Sequence, residues 1–242
     1  MQAMNFLFES WNVRGLGDLV KCSIVQADVA ASLPHILALQ ESKLTDVSSA
    51  KAASFLPPFL RCFEAVDAVG SAGGIVTAWN GCVFNRVTSQ SSQHILSVDL
   101  VSLADASSFH FTNVYAPCSH AEKEAFLLSL RTHDLGDSVP WIICGDFNLC
   151  RSLDDRNNAN LNQSKAALFN DCIHDFALIE LPLRDRRYTW SNRRSEPTLI
   201  RHDRFFLNNT ANSLFPSSSL SSFSRDISDH VPIIATVSSA VP

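Results

Sequence analysis

The residues able to do chemistry lie at the ends of apolar runs. They are Asn12 in Trp-Asn-Val-Arg-Gly, Glu41 in Leu-Gln-Glu-Ser-Lys, Tyr115 in Asn-Val-Tyr-Ala-Pro, Asp146 with Asn148 in Gly-Asp-Phe-Asn, and Asp229 with His230 in Ser-Asp-His-Val-Pro. A carboxylate, amide or imidazole at the end of a strand sits at a sheet edge, where several strands can converge on one pocket. Residues of these types can position a water, move its proton and hold a divalent metal that neutralises charge on a reacting group. Mg²⁺ takes oxygen ligands and keeps several waters, so one or two carboxylates hold it. Mn²⁺ is a substitute.

Taken singly, each signature has an ordinary explanation. Gly-Asp-Phe-Asn reads equally as a turn whose side chains bond their own backbone. Asn12 can cap the turn at Arg14-Gly15, Glu41 can be solvated, Asp229-His230 can be a structural pair, and Tyr115 can be a half-buried aromatic bonded to backbone. All five together, in this order, are far more specific.

The elements that must position these groups are short and β-rich. Runs at 5–13, 36–40, 74–79, 94–100, 109–115, 141–145, 188–191, 200–206 and 233–237 are apolar, rich in β-branched and aromatic residues, and punctuated by Gly, Pro, Asn or Ser. Helices are expected at 121–131 after Ser119 as cap, at 164–176 with Phe169, Cys172, Ile173 and Phe176 on one face, and at 19–33. Strands outnumber helices without strict alternation, which favours packed sheets flanked by helices over a doubly wound parallel sheet. The serine-rich stretch 217–224 reads as a surface loop.

Composition narrows the class. In 242 residues, 46% hydrophobic and 18% charged, there is material for one substantial core, and no linker divides residues 1–242. No apolar run reaches the roughly 20 residues of a membrane-spanning helix, and the start lacks the pattern of a secretory leader, so an intracellular protein is expected. Seven cysteines without a CxxC pair point to reduced thiols. A net charge of −5 argues against coating nucleic acid by bulk attraction. Seven of the 14 arginines nevertheless fall between Arg184 and Arg204.

Trp11-Asn12-Val13-Arg14-Gly15-Leu16, Leu39-Gln40-Glu41-Ser42-Lys43-Leu44, Gly145-Asp146-Phe147-Asn148, Tyr188-Thr189-Trp190-Ser191-Asn192 and Asp203-Arg204-Phe205 resemble the endonuclease/exonuclease/phosphatase superfamily. Within it they look most like the endonuclease domain of plant LINE-type (non-LTR) retrotransposons, over about residues 4–238. The resemblance implies an α/β fold: two packed, mainly antiparallel sheets flanked by helices, the four-layer DNase I-like sandwich. It also implies roles. Glu41 is the first metal ligand with Asn12 beside it, and Asp229 is a candidate second ligand. Asp146 orients or deprotonates the attacking water, Asn148 holds water or phosphate, and Tyr115 donates a hydrogen bond to the phosphate or leaving group. His230 contacts a non-bridging oxygen, best as an imidazolium, with Asp203 as its partner.

The loop between Trp190 and Ile200 is, by the same resemblance, the part that reaches into the DNA minor groove, where arginines suit the concentrated negative potential. Arg193, Arg194 and Arg201, with Arg14, Thr189 and Asn192, form the expected DNA-binding set. A solvated, salt-bridged turn is the ordinary alternative. His202 stands where the family pattern more often carries an apolar residue, a departure that bears on how Asp203 is presented.

Three readings follow. One is a retroelement endonuclease nicking duplex DNA to leave a 3′ hydroxyl, nuclear by virtue of its substrate. Its partner in a full-length element would be a reverse transcriptase, and with none after Pro242 the chain reads as an isolated domain or the product of a truncated element. The second is an abasic-site nuclease or a small-molecule phosphatase of the same fold. The third is a catalytically silent remnant that binds nucleic acid.

Overall fold

Successive side chains on a strand point to opposite faces, and here that alternation builds two sheets and the layer between them at once. The protein was analysed as a computed structural model describing residues 5–70, 72–119, 121–133, 136, 138–224 and 226–239. Residues 1–4, read above as part of the chain's start, lie outside the described residues.

One sheet holds β1 (Asn5–Asn12), β2 (Ile36–Gln40), β3 (Cys62–Val69), β4 (Ala72–Trp79), β13 (Ser219–Ser222) and β14 (Ile233–Ser238), in the order β13-β14-β1-β2-β4-β3. The other holds β5 (Phe84–Ser92), β6 (Ile95–Ser102), β7 (Ser108–Tyr115), β8 (Trp141–Asp146), β9 (Ile179–Glu180) and β12 (Asp203–Leu207), in the order β5-β6-β7-β8-β12-β9. A separate hairpin joins β10 (Trp190–Ser191) to β11 (Leu199–Ile200). Each six-stranded sheet contains one parallel pair, β1 with β2 and β7 with β8; the other pairs are antiparallel.

The helices are α1 (Leu19–Ser32), α2 (Ser49–Ala52), α3 (Lys123–Leu130), α4 (Gln163–Asp175) and α5 (Asn209–Leu214). Val25 and Val29 of α1 pack with Trp11, Leu37 and Leu39 on the outer face of the first sheet. Phe126 of α3 and Phe169 of α4 pack with Val114, Ile143 and Phe206 on the outer face of the second. Between the sheets lies a layer made by Phe6 and Phe8, Ile36 and Ala38, Phe109 and Phe111, Ile142 and Cys144, and Phe205 and Leu207. This is the four-layer arrangement expected. No helix among the described residues is long and apolar enough to cross a membrane.

Several local expectations are corrected. Residues 219–222 are not loop but the edge strand β13, with Leu220 buried. The run 188–191 forms strand only at Trp190–Ser191, and 200–206 is broken at Arg201-His202 into β11 and β12. Helix α3 starts later than expected, and its N-cap is Glu122, without a side-chain cap bond.

Phe8 is fully buried and its ring meets Phe84, Phe109 and Phe111 at centroid distances of 6.4, 5.7 and 5.7 Å. Truncation leaves a cavity that close packing cannot fill, so Phe8→Ala should lower stability by about 3–5 kcal/mol. Urea unfolding with an unchanged m-value checks this.

Candidate active site

On the strands that meet at one end of the sandwich, the inner face changes from apolar to polar along the strand. Phe6 and Phe8 are followed by Ser10 and Asn12; Ile36 and Ala38 by Gln40; Phe109 and Phe111 by Asn113 and Tyr115; Ile142 and Cys144 by Asp146; and Leu207 and Phe205 lead to Asp203. Register then aligns these ends. Asn12 pairs with Gln40, Tyr115 with Asp146, and Asp146 with Asp203. The close approach of β7 to β8 requires Gly145, at φ 134°, because a Cβ there would lie 2.0 Å from the Val114 carbonyl oxygen.

Asn12 Nδ2 donates to Asp146 Oδ2 at 2.9 Å, bridging the two sheets. Asn12 Oδ1 also caps the turn by accepting from the Arg14 amide at 3.0 Å, so the structural and functional readings of this residue both hold. The Asn148 amide donates to Asp146 Oδ1 at 2.9 Å, and Asn148 Nδ2 donates to the Ala116 carbonyl at 2.9 Å. His230 Nδ1 lies 2.8 Å from Asp203 Oδ2, and its Nε2 lies 3.7 Å from Asp146 Oδ2. All of Asn12, Asp146, Asp203 and His230 are buried. Arg14, Glu41 and Asn148 adopt φ of 50°, 52° and 48°, left-handed conformations that side-chain-bearing residues rarely take and that cluster at functional sites.

Glu41 lies beside Tyr115, and Lys43 Nζ lies 3.1 Å from Glu41 Oε1. Burial, then the charges of Glu41 and Asp146, push the Tyr115 pKa far up and keep its hydroxyl a donor. Asp229 is held by its Oδ2, which meets Arg14 and accepts from Trp190 Nε1 at 2.9 Å; its Oδ1 is buried with no hydrogen-bond partner. The Glu41 carboxylate, the Asn12 amide oxygen and that orphaned Asp229 oxygen are of the hard type a divalent cation takes, and among the described residues the potential ligand atoms that lie within 4.8 Å of one another are those of Asp146, Asp203 and His230.

The DNA-binding set divides. Thr189 is buried, and its Oγ1 accepts from the His202 and Asp203 amides at 3.0 Å each, so its hydroxyl orients Asp203. Asn192 Oδ1 accepts from the Arg194 and Thr198 amides and closes the hairpin loop. Arg201 is drawn inward by Glu180, 2.8 Å away, in a network with Arg204. Arg193 donates to the carbonyls of Asp226 and Ser228. Arg194 is exposed, and the Arg14 side chain is half-exposed against Asp229.

His202 does not displace Asp203. Thr189 fixes its backbone, and its ring sits 6.3 Å from that of His230 and 5.7 Å from that of Trp190. Burial, then the charge of His230, holds it well below the usual imidazole range, hence neutral. Three contributors were not signalled in the sequence. Ser228 Oγ donates to the Asn12 carbonyl at 2.7 Å and accepts from the His230 amide, and Trp11 Nε1 donates to the His230 carbonyl. Lys123, buried, donates to the Asn148 carbonyl at 2.6 Å. It shares a cleft with Asn148, Arg156, Lys165 and His202. Serine recurs throughout the chain and no motif surrounds Lys123, so neither stood out.

Burial alone would discharge the His230 ring, but Asp203 and then Asp146 push its pKa up instead. Burial raises the Asp146 carboxyl, and Asp203 adds to that, against the lowering by His230. Near neutral pH the group therefore holds an imidazolium among carboxylates. A general base raised above the carboxylate range and an acid raised above the imidazole range predict a bell-shaped kcat/KM profile. Its acid limb reports Asp146 and its alkaline limb His230. His230→Gln should abolish the alkaline limb.

Comparison with known proteins supports the same architecture. The AP endonuclease LMAP from Leishmania major superposes with a TM-score of 0.76 at 18% identity, covering 96% of this chain and 87% of that one. An AP endonuclease from Archaeoglobus fulgidus gives 0.73 at 14%, covering 96% and 99%. The endonuclease domain of TRAS1, a telomere-specific non-LTR retrotransposon, gives 0.70 at 12%, covering 97% and 98%. At these identities the likeness is one of fold. No curated protein matches the chain by sequence. The profile of one family does match, over residues 10–230, and with that span of the chain aligned the protein belongs to the Endonuclease/Exonuclease/phosphatase family.

Proposed function

We propose that this chain is a divalent-metal-dependent phosphodiesterase that nicks duplex DNA and leaves a 3′ hydroxyl. The observation that carries the reading is the buried cluster in which Asp146 meets Asn12 across the sheets and Asp203 holds the His230 ring at 2.8 Å. A water held against Asp146 gives its proton to that carboxylate as it attacks phosphorus. The bond that breaks is the one from phosphorus to the 3′ oxygen. The His230 imidazolium faces a non-bridging oxygen, where its charge offsets the charge that develops. Asn148 fixes the Asp146 carboxylate and borders the phosphate, and the protonated Tyr115 donates to the phosphate or the departing oxygen.

A hard cation fits Glu41 and Asn12, with Asp229 Oδ1 as a further oxygen donor. When bound, it supplies Lewis-acid stabilisation of the phosphate and of the leaving oxygen. Mg²⁺ is the ion we assign, with Mn²⁺ as substitute.

The cleft beside Asn148 favours a polymer over a small phosphate ester. Lys123, Arg156 and Lys165 come from different elements, and among the described residues no carboxylate lines that cleft. Such a wall suits the phosphates that flank a scissile bond. Arg194 and the half-exposed Arg14 add cations elsewhere on the surface. Action on DNA places the protein in the nucleus, and in a full-length element a reverse transcriptase would extend the hydroxyl.

Supercoiled plasmid should become open circle with Mg²⁺ or Mn²⁺ and remain supercoiled in EDTA, and a polymerase should extend the nick without further processing. Asp146→Ala should lower the rate on the order of 10²–10⁴. Faster cutting of an oligonucleotide with an abasic site than of its intact match would move the assignment to repair. Failure to nick in any metal would leave a nucleic-acid-binding protein.

A further inference from the structure

The hairpin that follows Tyr188 is fastened to the segment that carries His230. Ser191 N donates to the Asp229 carbonyl at 3.1 Å, Val231 N donates to the Thr189 carbonyl at 2.9 Å, and Trp190 faces His230 in an antiparallel bridge. These contacts form one backbone ladder around the imidazole. Beyond it, the loop turns away toward Arg194 and solvent.

One side chain of that loop turns back. Arg193 takes φ 53°, a conformation costly for a residue with a Cβ, and its amide donates to Ser191 Oγ at 3.1 Å. Its Nη2 donates to the Asp226 carbonyl at 2.8 Å and also to the Ser228 carbonyl. Ser228 is the residue whose hydroxyl accepts from the His230 amide and donates to the Asn12 carbonyl. The guanidinium therefore connects the loop tip, through one residue, to the backbone of His230 and the end of β1.

We propose that Arg193 is a positioning residue: it couples the conformation of the 191–198 loop to the placement of the His230 imidazole, so that substrate bound at the loop sets the phosphate-facing group. The proposal rests on the phosphodiesterase reading. Arg193 is exposed like the neighbouring Arg194, but its Nη2 is taken up by carbonyls 226 and 228. The two arginines should then fail differently. An imidazole displaced by about 1 Å costs up to roughly 10²-fold in turnover, while loss of a surface phosphate contact weakens binding.

Steady-state nicking and hydrogen exchange on the full chain test this together. Arg193→Ala should lower kcat roughly 10- to 100-fold with little change in KM, and Arg193→Lys, which keeps one donor for the carbonyls, should restore part of it. Arg194→Ala should raise KM and leave kcat near wild type. In the absence of substrate, amides of 226–231 should exchange faster in Arg193→Ala while those of β8 keep their protection. Arg193→Ala that raises only KM and flattens the salt dependence would make Arg193 a direct nucleic-acid contact and overturn the proposal. Unchanged exchange at 226–231 would overturn it as well. If the wild type nicks nothing yet the exchange changes as expected, the nuclease reading fails and the mechanical tie stands.

Discussion

The hydrogen bond from Asn12 to Asp146 is the one contact on which the site depends, because its partners belong to different sheets. Two sheets that pack face to face are held about 10 Å apart by the side chains between them. Large rings fill that layer through most of its length. Toward one end the same inward positions carry Ser10, Asn12, Gln40, Asn113, Asp146 and Asp203, groups that reach one another only through hydrogen bonds. Gln40 Nε2 donates to Asn113 Oδ1 at 2.7 Å, and Asn113 Nδ2 donates to the Val76 carbonyl at 3.1 Å, so polar bridging begins a layer before the reactive residues. A buried polar group without a partner is expensive, which makes this layer specify one alignment of the sheets.

Electrostatics follow from that geometry. Asp146, Asp203 and His230 are all removed from water, where two bare carboxylates would be costly. A charged imidazole between them offsets much of the cost, and the carboxylates in turn keep the ring charged. Around this core a set of ordinary residues holds the backbone: Thr189 for Asp203, Ser228 and Trp11 for His230, Lys123 for Asn148. Reactive groups held by such a support need little reorganisation when charge develops. Thr189 shows why residue type alone misleads. Its hydroxyl has the chemistry of a phosphate contact, yet it accepts from two backbone amides.

The interior of the fold was legible in the sequence and its edges were not. Strands flanked on both sides, such as β1, β2, β7 and β8, show runs of apolar residues because both faces are covered. The strands missed, β3, β5, β9 and β13, are the four that close the two sheets. In β5 most residues from Asn85 to Ser92 are exposed, and no alternation is needed there. Polar edges also discourage pairing with other chains. Helices α2 and α5 are too short to show a period. At the site, residues that terminate apolar strands were readable, since the change from apolar to acidic is abrupt. Arg193 and Arg201 were not, because a cluster of arginines in sequence gives no sign of which guanidinium is taken up by a carbonyl or a carboxylate.

The central claim is that Asn12 and Asp146, brought by separate sheets, work as one unit on the scissile phosphate. A double-mutant cycle on metal-dependent plasmid nicking measures this directly, using Asn12→Ala, Asp146→Ala and the pair, with folding of each verified. The account predicts strong non-additivity, with the double variant no slower than Asp146→Ala alone. Losses that simply multiply would contradict it.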